Sequence, residues 1–234
     1  MNDTTQARCL GLVGGLGVGA TIHYYQELVK AHAVRGAVPH LHIVHADMGR
    51  VLGEVQAGQT ARLARYLAEL LQHLADAGAE VGAVSAVAPH ICAPELAAIS
   101  PIPLVNMLDE VRTQIHARNL HRVALFGTRF AMESKLFGQL GDVEVVALRP
   151  EEVEYIHNTY TELARSGKGN REAHRGLSEL ACRLTDNEGA EGIVLAGTDF
   201  SLIFNESNTE FPAVDCTQLH IEAIMSALFR TSLG

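Results

Sequence analysis

The chain has 234 residues, 47% of them hydrophobic and 19% charged, with no tryptophan and a formal net charge of −9. This fits a folded protein with a core of leucine, valine, isoleucine and alanine, long enough for one large domain or two smaller ones. The 18 lysines and arginines are scattered, which argues against nucleic acid as a partner; no apolar run is long enough to span a membrane, and the polar Met1–Arg8 stretch lacks a secretory hydrophobic core.

The first predicted element is a buried parallel strand over Cys9–Val13, an apolar run that ends in glycines. Gly14-Gly-Leu-Gly-Val-Gly19 then opens a helix over Ala20–His32. The glycine spacing is not a clean dinucleotide fingerprint, and no clear ribose-binding acid closes the second strand, although Asp47 lies nearby. Two readings of the loop stay open. The backbone N–H groups around Gly15 and Gly17 approach a carboxylate or phosphate, or the glycines only make a tight turn. The second strand is predicted over His40–His45. It would place His40 and His42 on one face and His45 on the other, with no cysteine or carboxylate to complete a metal set, so no metal is expected. Thr60–Ala77 is the clearest helix: Leu63, Leu67, Leu70, Leu71 and Leu74 form one stripe, and Gly78 is a stop. A third strand over Val81–Val87, a short helix over Pro94–Ile99, the segment Leu104–Asn106 and a helix over Val111–Arg118 follow. His90 falls just past a strand end, where parallel sheets bind ligands. There it acts as a general base or hydrogen-bond donor, or it caps a turn.

The second half runs through strands at Arg122–Phe126 and Val143–Ala147 with a helix over Ala131–Leu140 between them. Helices over Glu151–Ala164 and Arg171–Glu188, a strand at Gly192–Leu195, the segment Ala213–Cys216 and a final helix over Thr217–Arg230 complete it. Thr198-Asp199 holds the post-strand place in this half. Asp199 there orients a ligand amine, serves as a base, or caps the next segment. Lys168 lies in a flexible gap between two helices, where it clamps a carboxylate or is simply solvated.

The halves repeat. Gly11–Thr21 returns loosely as Val123–Ser134 and Ala79–Ala88 as Ala190–Asp199, which pairs Gly14 with Gly127 and Ala86 with Gly197. The fold class expected is α/β: two similar Rossmann-like domains with mainly parallel sheets and a site where equivalent strand ends face each other. The boundaries expected are 1–108 with 215–234 for the first domain and 109–214 for the second. Cys9, Cys92, Cys182 and Cys216 show no CxxC pairing, which reads as reduced thiols in a cytoplasmic protein.

Four motifs, in order along nearly the whole chain, resemble the aspartate/glutamate racemase superfamily, nearest to its aspartate racemase branch. They are Gly14-Gly-Leu-Gly-Val-Gly-Ala-Thr21; Gly127-Thr128 through Ser134; Pro150-Glu-Glu through His157, with Glu162-Leu163 and Gly167-Lys168; and Asp215-Cys-Thr-Gln-Leu-His220. The resemblance implies two pseudo-twofold-related domains, an interdomain active site, no cofactor, a homodimer, and a small amino acid or carboxylate as substrate. It also implies one cysteine per domain: one thiolate removes the α-proton and the opposite thiol returns one to the other face.

The departures decide the functional reading. The first cysteine motif, usually C-N-T-x-H, stands here as Ala86-Val-Ala-Pro-His90; the second, usually G-C-T-E, stands as Ala196-Gly-Thr-Asp199. Alanine and glycine transfer no proton. Two-thiol racemisation is therefore excluded unless another cysteine substitutes, and Cys216, in place of the first Thr of the D-T-T motif, is the candidate. The loss of the polar neighbours too reads as natural divergence rather than an engineered knock-out. Asp199 and His90 are left as acid/base groups. Lys168 and the Gly15–Gly19 backbone would hold carboxylates, and Thr198 and Ser85 would donate to developing charge. Asp47, Thr128 and Cys216 complete the expected substrate contacts. The expected activity is a redirected isomerase, lyase or decarboxylase; the alternative is a pseudoenzyme that binds an amino acid without chemistry.

Overall fold

Each half of the chain wraps its helices around a parallel sheet whose first strand lies in the middle. The computed structural model describes residues 7–230, so all but the last two residues of the polar Met1–Arg8 stretch lie outside it, as do residues 231–234. The chain divides into two compact units, one running up to Asn106 and resuming at His220, the other Met107–Leu219.

The first unit contains β1 (Leu10–Gly14), α1 (Val18–Val34), β2 (Leu41–His45), α2 (Met48–Gln56), α3 (Thr60–Asp76), β3 (Val81–Val84) and α4 (Ala93–Ile99). Its sheet order is β2-β1-β3, with Leu10 opposite Leu41 on one side and Val81 on the other. A parallel bridge between Gly82 and Leu104 extends it. The second unit contains α5 (Met107–Ala117), β4 (Arg122–Gly127), α6 (Arg129–Glu133), β5 (Glu144–Val145), α7 (Pro150–Ser166), α8 (Arg171–Glu188), β6 (Gly192–Ala196) and β7 (Ala213–Asp215). Helix α9 (Cys216–Leu228) begins in the second unit and ends in the first. The second sheet runs β5-β4-β6-β7, all parallel. The two orders match strand for strand, and β1 and β4 end on the paired glycines Gly14 and Gly127. This is the α/β class with parallel sheets that the strand–helix alternation predicts.

Burial explains the arrangement. β1, β3 and β6 are buried along their whole length and carry no charge, as strands covered on both faces must. The leucine stripe of α3 is buried as predicted. It comes close because Gly11 and Gly82 have no side chain: a Cβ on Gly11 would lie 2.9 Å from Leu74 Cβ, and one on Gly82 would lie 2.9 Å from Leu71 Cδ2.

Three expectations are corrected. The helix read over Ala131–Leu140 stops at Glu133. Lys135, Leu136, Phe137 and Gly138 all have positive φ. Ser134 sits at the break: its hydroxyl donates to the Phe130 carbonyl at 2.6 Å and accepts the Phe137 N–H at 3.1 Å, a donor that a continuing helix would give to the Glu133 carbonyl. The left-handed stretch turns Leu136 fully into the core. Helix α2 went unpredicted because Gly49 and Gly53 mask its Val51/Val55 face, although Asp47 caps it. The strand read over Val143–Ala147 shortens to two paired residues at the sheet edge.

Crowding at the strand ends predicts a contrast between two glycines. A Cβ on Gly127 would sit 2.6 Å from the Ala196 carbonyl oxygen, a main-chain atom in the neighbouring strand. Gly127→Ala is expected to lower stability by about 1–3 kcal/mol, a fall of several degrees in Tm. Gly53→Ala, on an open face of α2 with nothing within 4 Å, is expected to raise stability by about 0.5–1 kcal/mol. Thermal denaturation of both variants checks the pair.

Candidate active site

In the first unit the end of β1 is closed by a threonine. Gly15 and Gly17 have φ of 81° and 151°, which side-chain-bearing residues rarely adopt, and carry the chain into α1. Thr21, in the first turn of that helix, folds back over them. Its hydroxyl accepts the Gly15 N–H at 2.9 Å and donates to the Gly17 carbonyl at 2.9 Å. The Gly15 amide, expected to hold a ligand carboxylate, is therefore already bonded to Thr21. The ring of the exposed His45 covers the same glycine, 2.7 Å from where a Cβ would be. Ser85, expected to donate to developing charge, gives its hydroxyl proton to the Val13 carbonyl at 3.1 Å. It retains only acceptor capacity. Asp47, expected at the substrate, accepts the Arg50 N–H at 3.1 Å as the cap of α2 and gives its own N–H to the Tyr66 hydroxyl.

Past β3 the chain makes a 3-10 turn over Ala88–Cys92 that buries His90. The His90 Nδ1 lies 2.8 Å from the Ala86 carbonyl, which can only accept, so Nδ1 carries the proton and Nε2 the lone pair. The ring meets His220 edge-on at 5.8 Å. His220 is wholly buried, with Nε2 donating to the Val105 carbonyl at 3.0 Å and Nδ1 accepting from the Tyr24 hydroxyl at 2.9 Å. Burial above all, and His90 beside it, push its pKa down to about 3. His220 is therefore a neutral, fixed tautomer against which His90 packs.

In the second unit Thr128 caps α6 by accepting the Ala131 N–H at 3.2 Å, which leaves its hydroxyl proton to give. Gly197 follows β6 in extended conformation, and the 3-10 turn Thr198–Leu202 buries Thr198, Asp199 and Phe200 completely. Tyr160 reaches this turn from α7. Its hydroxyl donates to Asp199 Oδ2 at 3.5 Å and its ring packs on Phe200 at 5.0 Å. Burial first, then the Asp199 charge, push the phenol pKa up, so it stays protonated. The buried Thr198 hydroxyl faces this phenol without a hydrogen bond of good geometry, while its carbonyl accepts the Ser201 hydroxyl at 2.8 Å. Lys168 is exposed, as a carboxylate clamp needs to be. Its segment is not the flexible gap expected. It is a short link between Gly167, the C-cap of α7, and Asn170, the N-cap of α8. The link is pinned by Ser166 and by Gly169, whose Cβ would lie 2.1 Å from the Leu202 carbonyl oxygen. Gly169, Asn170, His174, Leu202 and Asn208 line an open cavity of about 320 Å³.

The two buried thiols are poor bases. Cys216 is fully buried, and burial first, then Asp215, push its pKa up. Cys92, whose thiol donates to the Pro89 carbonyl, is pushed up to about 12 by burial and Glu95. Neither is a thiolate near neutral pH, so Cys216 does not substitute for a missing catalytic thiol by ionising there. Among the described residues no cluster of His, Cys, Asp or Glu could hold a metal, and no helix is long and apolar enough to cross a membrane. The sequence reading missed Tyr160, Tyr24 and the packing role of His220. The two tyrosines sit at ordinary core-facing helix positions, and only the motif ending in His220 singled that residue out.

Comparison with known proteins places this geometry. The family model described as Asp/Glu/Hydantoin racemase matches residues 13–224. A solved aspartate racemase homologue from Pyrococcus horikoshii superposes with a TM-score of 0.79 at 22% identity, covering 95% of this chain and all of that one. Picrophilus torridus aspartate racemase gives 0.72 at 16% identity, over 94% of each chain. A liganded double mutant of arylmalonate decarboxylase gives 0.56 at 11% identity, over 96% and 94%. At these identities the structures share the fold.

The neutral His220 makes a pH prediction. The folded chain refuses a proton that the unfolded chain takes up below about pH 6.5, so its contribution to stability falls as pH drops from there towards about 3. The stability difference between the wild type and His220→Gln is expected to narrow by about 1–2 kcal/mol between pH 7 and pH 5. Urea denaturation at the two pH values checks this; a constant difference would mean that His220 titrates in the fold as it does in the unfolded chain.

Proposed function

The chain belongs to the Asp/Glu/Hydantoin racemase family, and we propose that within it the protein is a cofactor-independent enzyme acting on a small amino acid or carboxylate by a route other than two-thiol racemisation. One observation carries the reading. Positions 86 and 197 hold no proton-transferring side chain, while the turns that follow bury His90, with a lone pair on Nε2, and Asp199. Neutral imidazole and carboxylate are both competent bases near neutral pH, whereas the buried thiols Cys92 and Cys216 are not.

A carboxylate or imidazole base suits a more acidic proton than that of an unactivated amino acid, or a reaction that returns nothing to the opposite face. In an elimination the base takes the α-proton and the β-substituent leaves with its bonding pair. In a decarboxylation the C–C bond breaks, CO₂ departs, and a general acid delivers a proton to the carbanion. The solved arylmalonate decarboxylase, of the same fold, supports the second type. Lys168 is the cation proposed for a substrate carboxylate, with the Gly17 backbone and the Thr128 and Thr198 hydroxyls as further donors. The reading also takes the protein to be a homodimer; the uncovered apolar stripe Val18, Ile22 and Tyr25 on α1 supports this.

The test is proton NMR in D₂O with aspartate, glutamate, other amino acids, maleate and substituted malonates. Loss of CO₂, a new double bond or release of a leaving group is the expected result. Asp199→Asn and His90→Ala are each expected to reduce that turnover by at least about 10²-fold with the fold intact by circular dichroism. Full activity in both variants would reject the assigned roles. Deuterium entering Cα with inversion would instead identify a racemase with other bases. Ligand-induced stabilisation without turnover would identify the binding protein.

A further inference from the structure

The glycine after β6 is set by a neighbour and not by its own backbone. Gly197 has φ −163° and ψ 119°, open to any residue. A Cβ there would lie 2.3, 2.8 and 2.8 Å from Cε2, Cδ2 and Cζ of Tyr160, well inside contact distance. The ring has little freedom to yield. It packs against the fully buried Phe200, and α7 is anchored one turn to either side by the buried Ile156 and Leu163. The same side chain carries its hydroxyl to Asp199, two residues beyond Gly197.

We propose that Tyr160 is the positioning residue of this strand end: its ring takes the volume a side chain at 197 would need, and its hydroxyl donates to Asp199, so that the β6 end offers a carboxylate in place of a side chain at 197. This rests on the reading of Asp199 as an acid/base group. The two halves of the role are separable. The ring excludes a side chain at 197; the hydroxyl stabilises the ionised carboxylate and thereby favours its use as a base. A phenol that stays protonated donates to the carboxylate without competing for its proton.

Two measurements test the role without a substrate. In ¹³C NMR of carboxyl-labelled protein, the Asp199 resonance is the one lost in Asp199→Asn. Its titration midpoint is expected to rise by about half a unit to one unit in Tyr160→Phe, which keeps the ring and removes the donor. An unchanged midpoint, as a purely structural ring would give, overturns the hydroxyl's role. In a double-mutant cycle, Gly197→Ala alone is expected to lower Tm by several degrees and to cost little in a Tyr160→Ala background. Additive losses overturn the steric role; Tyr160→Val takes the place of the alanine variant if that fails to fold. Full turnover in Asp199→Asn together with a shifted midpoint in Tyr160→Phe would end the functional reading and leave the positioning role standing.

Discussion

A buried parallel strand has to stop, and the backbone groups at its C-terminal end must find partners without water. Both units meet this constraint with side chains, and those side chains fix where chemistry can occur. After β1, Thr21 takes the Gly15 N–H and bonds the Gly17 carbonyl. Beyond β3, Ser85 bonds the Val13 carbonyl and His90 bonds that of Ala86. At the β6 exit, the Ser201 hydroxyl bonds the Thr198 carbonyl. Groups consumed in this way are structural. The groups proposed for chemistry are two that the same turns bury: the imidazole of His90 and the Asp199 carboxylate.

Burial also sorts the candidates by element. Sulfur in these surroundings stays protonated, since desolvation raises the pKa of Cys92 and Cys216 and the nearby Glu95 and Asp215 raise it further. Imidazole loses its charge for the same reason, and His220 is held neutral by it. At the first-unit strand end both histidines, His90 and His220, are buried and have defined tautomers. The proposed nitrogen and oxygen bases, His90 and Asp199, avoid the cost that burial and a neighbouring carboxylate put on ionising either buried thiol.

Much of the fold was legible in the sequence because its elements are periodic and well punctuated. Helix α8 falls on its predicted residues, α3 to within one, and β1, β4 and β6 to within one at each end. What failed was local. Helix α2 hides behind two glycines, and α6 is cut short by a hydroxyl that competes for the backbone. The positions of His90 and Asp199 were legible because ligand sites follow strand ends. The occupation of Ser85, Gly15 and Asp47 was not, since each is bonded to a group that only the folded chain brings near. Tyr160 was invisible for a related reason: the helical pattern places it towards the core, and nothing in that pattern tells that the core at that point is the side-chain space of residue 197.

The fit between Gly197 and Tyr160 also limits what this strand end accepts. Any residue with a side chain at 197 puts its Cβ 2.3 Å from an aromatic ring that Phe200 backs. Such a residue needs a smaller partner at 160, and making that room first opens a cavity. The two positions are therefore a coupled pair: a redesign that seeks a nucleophile at the end of β6 has to rebuild both together.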